Sequence, residues 1–379
     1  MDISTLCVHG TCDSSHTTGS VTVPIYQTAT FVHPSVGQST GYDYSRVQNP
    51  TREQLEVIVS KLEDGFDALA FTSGMAAITA MMELFKIGDH IIASGDLYGG
   101  SIRLFQTISE KNGITFDYLT MSNPVQVKRL IKPETKAIYI ETPSNPMMQV
   151  TDLAAISEIA KEYNLLMIVD NTFLTPYFQT PFHLGADIVV HSGTKYLSGH
   201  NDTLAGFLVV RTKELSEKLR FIYKTTGACL APFDSWLIIR GIKTLAVRME
   251  RQQANAIQLA NWLGKQPKVK KVYYIGLETH PNYEISKNQA SGFGAMISFE
   301  VDSEQTAIRL LERVNLVLYA ESLGGVETLI TYPMLQTHAD VPKEEREAKG
   351  INERLLRLSV GLENISDIME DLEQAFTDE

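Results

Sequence analysis

Several large classes of protein are excluded by what this chain lacks. Cysteine is scarce: Cys7, Cys12 and Cys229 are the three in 379 residues, at no metal-like spacing. That usage fits a reducing compartment better than a disulfide scaffold, and no metal site is expected. Positive charge is not in excess. The formal net charge of −12 omits the cationic footprint that phosphate backbones demand, so nucleic acid is not an expected partner. No apolar run approaches the roughly 20 residues of a membrane-spanning helix, so no membrane partner is expected either. Met1 to Leu6 show no basic stretch leading into an apolar core. A secretory leader is therefore not expected, and the cytoplasm is the expected location. Walker A is absent. The nearest approach to G-x-G-x-x-G, Gly292-Phe293-Gly294, lacks the third glycine and leads into a strand-like segment. No internal repeat or low-complexity segment is evident.

What is present is an ordinary globular composition, 44% hydrophobic and 21% charged, in a chain too long for one compact core. Residues 1–50 are poor in helical periodicity and rich in Thr, Ser, Gly and Tyr, which predicts an extended arm. From Arg52 onward, helical and strand-like segments alternate. Strands are predicted over 68–71, 90–93, 137–140, 166–169 and 188–190, with helices over 75–85, 101–111 and 152–163. That alternation predicts an α/β fold with a mostly parallel central sheet covered on both faces. A long helical stretch over 234–265 follows. Strands over 269–274, 296–299 and 355–360, with helices starting at 304 and 366, predict a smaller α+β C-terminal domain. The expected division is an arm over 1–50, a large domain over 51–250 and a C-terminal domain over 251–379.

Two charged residues close apolar runs. Asp170 follows Leu165-Leu166-Met167-Ile168-Val169, and Lys195 follows Ile188-Val189-Val190 by a short turn. The ends of parallel strands are where α/β sheets bind ligands. An amine there can condense with an aldehyde, and a carboxylate can hold a ring nitrogen protonated, which is what pyridoxal phosphate chemistry asks of a protein. A lone lysine is usually a solvated surface group, and a lone aspartate at a strand end is as often a cap or salt bridge; their pairing favours function. Ser192 and Thr194 place two hydroxyls on the lysine's turn, suited to a phosphate ester. Ser192-x-x-Lys195 also matches a β-lactamase nucleophile motif. Its partner motifs Ser-Asp-Asn and Lys-Thr-Gly are absent. Ser73-Gly74-Met75 joins a strand to a helix and offers backbone N–H groups to an anion, although an ordinary turn reads the same way. Tyr98 precedes Gly99-Gly100, where backbone can approach a planar ligand; the bland alternative is a half-buried tyrosine. Arg357 interrupts the apolar run 355–360, where a charge must be paired in a salt bridge or wait for a substrate carboxylate. Glu321, before Ser322-Leu323-Gly324-Gly325, is ambiguous between a site and a solvated loop.

Together these segments resemble the cysteine and methionine metabolism (trans-sulfuration) family of pyridoxal phosphate enzymes. Its members include cystathionine γ-synthase, cystathionine γ- and β-lyases, methionine γ-lyase and O-acylhomoserine sulfhydrylases. The matching pieces are 187–201 around Lys195, Tyr42-Asp43-Tyr44-Ser45-Arg46 with Asn49-Pro50-Thr51-Arg52, Ser73 to Ala77, Glu141-Thr142-Pro143-Ser144-Asn145-Pro146, Val169 to Phe173, and Ala320 to Gly325. The resemblance implies fold type I, the aspartate aminotransferase-like architecture. It implies pyridoxal 5'-phosphate held as an aldimine on Lys195, which also shuttles protons. It gives Asp170 to the ring nitrogen, Tyr98 to ring stacking and amine deprotonation, and Asn145 to the neighbourhood of the ring hydroxyl. Ser73, Gly74, Met75, Ser192 and Thr194 go to the phosphate, and Arg357 to the α-carboxylate. Tyr44 and Arg46 are implied to reach the phosphate of a neighbouring subunit, so a dimer is the expected minimum and a homotetramer the expected assembly. Glu321, Ser322, Arg103 and Asp43 are the implied substrate contacts. Val47-Gln48, Gly193 and Asn201 depart from the family's usual residues, and Gly100 stands where methionine γ-lyases usually carry cysteine. The stretches Pro232 to Trp236, Thr331-Tyr332-Pro333 and Gln336-Thr337-His338 look most like γ-synthases that act on O-acylhomoserine with cysteine or another thiol. A cystathionine γ- or β-lyase is the alternative.

Overall fold

The computed structural model describes residues 1–10, 18–121, 123–337 and 343–377; Cys12 and His338 lie outside them. The described residues form two sheets. The larger has strands β1 (Asp67–Phe71), β2 (His90–Ser94), β3 (Thr115–Leu119), β4 (Thr135–Glu141), β5 (Leu166–Asp170), β6 (Ile188–Ser192) and β7 (Gly206–Val210). Their spatial order is β1-β7-β6-β5-β4-β2-β3. The five strands from β6 to β3 are mutually parallel. β7 runs against both its neighbours.

The sequence dictates the burial of this sheet on both faces. In β4, β5 and β6, apolar side chains run without a polar break, and alternate residues enter different cores. Ile138, Ile140, Met167, Val169 and Val189 pack on one side, with Tyr139, Ile168, Ile188 and Val190 on the other. Ten helices precede the second sheet: α1 (Ile3–His9), α2 (Pro50–Leu62), α3 (Gly74–Met82), α4 (Gly99–Arg103), α5 (Pro124–Arg129), α6 (Leu153–Glu162), α7 (Thr175–Phe178), α8 (Lys213–Thr226), α9 (Pro232–Ile242) and α10 (Leu245–Leu263). Several starts are written in the sequence. Asn49 accepts from the N–H of Thr51 and, at longer range, of Arg52 ahead of Pro50, Ser73 from Ala76, Asp152 from Ala155, and Thr212 from Leu215.

The second sheet comprises β8 (Val269–Tyr273), β9 (Met296–Val301), β10 (Leu318–Tyr319), β11 (Leu329–Thr331) and β12 (Leu355–Ser359), in the order β10-β11-β12-β9-β8. It is antiparallel apart from the β10–β11 pair. Helices Glu304–Arg313 and Ile365–Phe376 accompany it.

The structure departs from the sequence reading in several places. The arm contains a helix, α1, capped by Asp2 and anchored through buried Cys7; between 18 and 49 only isolated bridges occur, as expected for an extended arm. The stretch over 234–265 is two helices. Thr244 leaves helical geometry, and the break is held by Arg248, whose guanidinium donates to the Gly241 carbonyl (2.8 Å) and the Thr244 hydroxyl (3.1 Å). The helix expected over 101–111 is α4 followed by a π-helical turn over Leu104–Ser109. Strands β3, β7, β10 and β11 and helices α5, α7 and α8 were unread; β3 mixes apolar and polar residues without full burial.

β7 positions the site because it begins with glycine. A Cβ on Gly206 would lie 2.1 Å from the Ser73 carbonyl oxygen and 2.7 Å from the Gly74 Cα, so the turn that opens α3 rests directly on the strand. Gly206→Ala is expected to lower stability by about 1–3 kcal/mol through overpacking. Urea unfolding measures it; unchanged stability would mean the turn is not held there.

Candidate active site

The strand ends place the chemistry. β4, β5 and β6 finish in Glu141, Asp170 and Ser192, and Glu141 is the register partner of Asp170. Beyond Ser192 the chain turns through Gly193-Thr194 to Lys195 and Tyr196, and the turn is clamped. Lys195 N–H donates to the Ser192 carbonyl, Gly199 N–H to the Lys195 carbonyl, and the Arg248 guanidinium to the Tyr196 carbonyl at 2.7 Å. A cavity of about 210 Å³ opens above these strand ends.

Twelve of the sequence-predicted residues line it. Ser73, Gly74 and Met75 come from the start of α3, and Ser192, Thr194 and Lys195 from the end of β6 and its turn. Tyr98, Asn145 and Asp170 come from the ends of β2, β4 and β5, and Glu321, Ser322 and Arg357 from the second sheet and its loop. Four predicted residues lie elsewhere. Arg103 ends α4 on the outside, close enough to influence Tyr98 electrostatically. Asp43 pairs with His33 at 3.3 Å on the surface. Tyr44 is exposed beneath the Arg46 guanidinium, and Arg46 donates to the Lys224 carbonyl. All three arm residues sit on a segment that does not fold over this chain's own cavity. Their reach into a neighbouring copy is a proposal.

The charged groups here are desolvated and only loosely paired. Lys195 Nζ donates to the Ser322 hydroxyl at 2.9 Å, and burial, helped by Arg357, lowers its pKa to about 8 against the opposing pull of Glu321. Ser322 carries a positive φ of 119°, a conformation that side chains rarely adopt. Asp170 accepts from the N–H (3.0 Å) and hydroxyl (2.6 Å) of Thr172, yet burial keeps its carboxyl above the usual range. Burial and the neighbouring Asp170 push Glu141 well above it. The Tyr98 phenol is raised by burial and then by Glu321, so it is neutral near pH 7. Arg357 is fully buried, with a pKa lowered to about 10 by that burial. Its guanidinium donates to Asn145 Oδ1 (2.7 Å), the Ser322 carbonyl (3.0 Å) and the Thr331 hydroxyl (3.2 Å), while Nε has no acceptor. No carboxylate lies within ion-pair distance of Arg357 or Lys195 among the described residues.

The sequence reading passed over Glu141, Thr172, Phe173, Leu204 and Thr337, all of which line the cavity. Glu141 had a usable signal: it ends an apolar strand just as Asp170 does. The departures also find places. A Cβ on Gly193 would meet the Phe207 ring at 2.4 Å, so the usual alanine or cysteine there is excluded by Phe207. Asn201, at φ 54°, donates to Glu327 at 2.7 Å.

A family profile described as Cys/Met metabolism PLP-dependent enzyme matches residues 4–377. The chain belongs to this family. Like the rest of it, the protein is pyridoxal phosphate-dependent. Cystathionine gamma-lyase of Bacillus subtilis (strain 168) is 49% identical to this chain over 375 residues, 99% of each. A protein of the same organism named cystathionine gamma-synthase/O-acetylhomoserine (thiol)-lyase is 48% identical over 362 residues, 96% of this chain and 93% of its own. The crystal structure of cystathionine gamma-lyase from Lactobacillus plantarum complexed with L-serine superimposes with a TM-score of 0.96 at 44% identity, covering 99% of this chain and 98% of its own. The fold is that of the fold type I enzymes, and trans-sulfuration is the chemistry of the group.

The residues of the cavity fit pyridoxal phosphate. A buried amine without a carboxylate partner faces a carboxylate at a strand end. A Cβ on Gly74 would lie 3.2–3.4 Å from Ser192, so the start of α3 abuts the hydroxyl-bearing end of β6. There the first-turn N–H groups of Gly74 and Met75, which the helix itself does not use, meet the side chains an anion needs. Arg357→Met is expected to hold stability within about 1 kcal/mol of the parent chain, not to lower it by the 3–5 kcal/mol typical of breaking a buried ion pair. Of the acceptors it leaves, those on Asn145 and Ser322 border the cavity, where water can serve them, and the Thr331 hydroxyl keeps its bond to the Ala320 carbonyl. Urea unfolding without added cofactor decides this; a loss above about 3 kcal/mol would show a paired charge.

Proposed function

We propose that this protein acts at the γ-carbon of a four-carbon amino acid, releasing a γ-substituent and then adding a thiol: cystathionine γ-synthase-type replacement on an O-acylhomoserine with cysteine. The observation that carries it is one cavity lined by Lys195, Asp170, Arg357 and Glu321. Pyridoxal phosphate, when bound, supplies an electron sink for the α-carbon of the substrate. The rest is the work of side chains. Lys195 Nζ would hold the cofactor aldehyde and, once the substrate's amine has taken its place and freed it, would take the α-proton and deliver it further along the substrate; a pKa of about 8 leaves the free amine able to accept and return a proton near neutral pH. Asp170 keeps a proton on the ring nitrogen, since a cation against a buried carboxylate relieves the burial penalty of both. Tyr98 covers the ring. Ser73, Ser192, Thr194 and the N–H groups of Gly74 and Met75 take the phosphate. Arg357 turns from its present neutral acceptors to the substrate's α-carboxylate, for which its planar fork is suited. Glu321, exposed at the mouth, meets the amine of cysteine or the far amine of cystathionine. Ile78, Phe173, Val190 and Leu323 in the wall keep water from reacting groups.

A second reading ends the same elimination with water, cleaving cystathionine. It is favoured by the lyase names of the 49% identical relative and of the 44% identical structure. The two are separated by offering the holoenzyme O-acetyl- or O-succinylhomoserine with cysteine, and separately cystathionine. Cystathionine formation is expected. Keto acid and ammonia from cystathionine, with no replacement product, would establish the lyase instead. The keto acid then identifies the carbon: 2-oxobutanoate with cysteine for γ-cleavage, pyruvate with homocysteine for β-cleavage.

Two further outcomes are expected. Covalent attachment of pyridoxal phosphate to cofactor-free protein should accelerate as pH rises through about 8, where Lys195 loses its proton. Lys195→Ala should abolish attachment and turnover. A rate midpoint near that of an ordinary lysine, about 10.4, or retention of the adduct in Lys195→Ala, would place the linkage elsewhere. We further propose a shared site in a homodimer or tetramer. Arg46→Ala should then weaken cofactor affinity by about tenfold or more, the loss of a charge-assisted phosphate contact. Equilibrium titration checks this, and unchanged affinity would remove Arg46 from the site.

A further inference from the structure

Glu141 is unused by the chemistry above, yet few carboxylates are less easily explained. It is buried at 7% exposure on the cavity floor, beside Asp170 on the adjacent strand. A carboxylate there is costly unless its oxygens are engaged. They are engaged by main chain: Oε2 accepts the backbone N–H of Tyr98 at 2.9 Å, and the carboxylate also receives the backbone N–H of Asn145. Its own N–H donates to the Ser94 hydroxyl at the end of β2, at 3.3 Å.

The partner it holds needs holding. Tyr98 stands at the start of α4, a helix of five residues, and its side chain makes no cap there. Two glycines follow it, giving the backbone maximal freedom. The residue is 39% exposed, with its ring over Gly100, so one side of it lacks packing. On the far side, Gly99 rests against the Thr337 carbonyl, where a Cβ would come within 2.3 Å. The Tyr98 backbone is thus caught between that carbonyl and the Glu141 carboxyl.

We propose that Glu141 is a positioning residue that, by gripping the Tyr98 main chain, sets the angle of the tyrosine ring over the cofactor. The inference rests on the pyridoxal phosphate site proposed above. Burial and Asp170 push the Glu141 carboxyl well up. A protonated carboxyl still offers a carbonyl oxygen, so the grip does not require a charge. Glu141→Gln, with the same size and an oxygen acceptor, should therefore work as the parent does, while Glu141→Ala should not.

The test uses cofactor-free full-length protein titrated with pyridoxal phosphate and read by visible circular dichroism, which reports the handed surroundings of the bound ring. Glu141→Ala is expected to lose most of the induced signal and to bind about tenfold more weakly, in line with loss of one strong hydrogen bond. Glu141→Gln should restore both. Far-UV circular dichroism confirms that each variant folds. Parent-like ellipticity and affinity in Glu141→Ala would overturn the proposal, and so would equal losses in Glu141→Ala and folded Glu141→Gln. A parent protein that binds no pyridoxal phosphate would instead defeat the site itself.

Discussion

The structure is governed by the burial of charges that do not neutralise one another. Lys195 and Arg357 share a cavity with Asp170 and Glu141, yet each cation is satisfied by neutral acceptors and each anion by neutral donors. Left alone, such groups drift toward their uncharged forms, as the direction of each pKa shift records. On the proposed assignments, a cofactor with a protonated ring nitrogen and an aldehyde would supply Asp170 and Lys195, and a substrate carboxylate would supply Arg357. The architecture follows from keeping these groups apart and dry: two sheets, each contributing one cation, with Asp170 and Glu141 both on the larger and Glu321 on a loop of the smaller.

Parallel strands make that arrangement economical. Their ends lie along one edge, so Glu141, Asp170 and Ser192 arrive as neighbours because β4, β5 and β6 are neighbours in register. The antiparallel β7 then returns the chain after the lysine turn, and its opening glycine lets the start of α3 sit against β6. The catalysis proposed here needs fixed distances between amine, acid and phosphate cradle, and the register of a hydrogen-bonded sheet fixes them more firmly than a loop would.

Much of this was legible in the sequence. An apolar run closed by one charged residue identified the ends of β5 and β6, because burial on both faces forbids such a residue within the strand. The same rule applied to Glu141 would have found it; attention to known roles hid it. The break between α9 and α10 was illegible because a single buried Arg248, one turn after Thr244, holds it by bonds to the Thr244 hydroxyl and the Gly241 carbonyl that leave the apolar periodicity unbroken. β3 was missed because an edge strand with half-buried residues shows no clean alternation. The positions of Asp43, Tyr44 and Arg46 depend on where the arm travels, and local sequence carries no record of that.

Arg357 gives one consequence for selectivity. Its fork is already oriented by Asn145 and Thr331, with the Ser322 carbonyl alongside, so little rotational freedom remains to be lost when a carboxylate arrives. The newcomer must nevertheless displace contacts that already exist. A small inorganic anion, forming one bond where a carboxylate forms two, recovers too little from that exchange to hold the guanidinium. If Arg357 takes the substrate's α-carboxylate as proposed, the resting contacts would act as a threshold that favours a two-oxygen anion over one that forms a single bond.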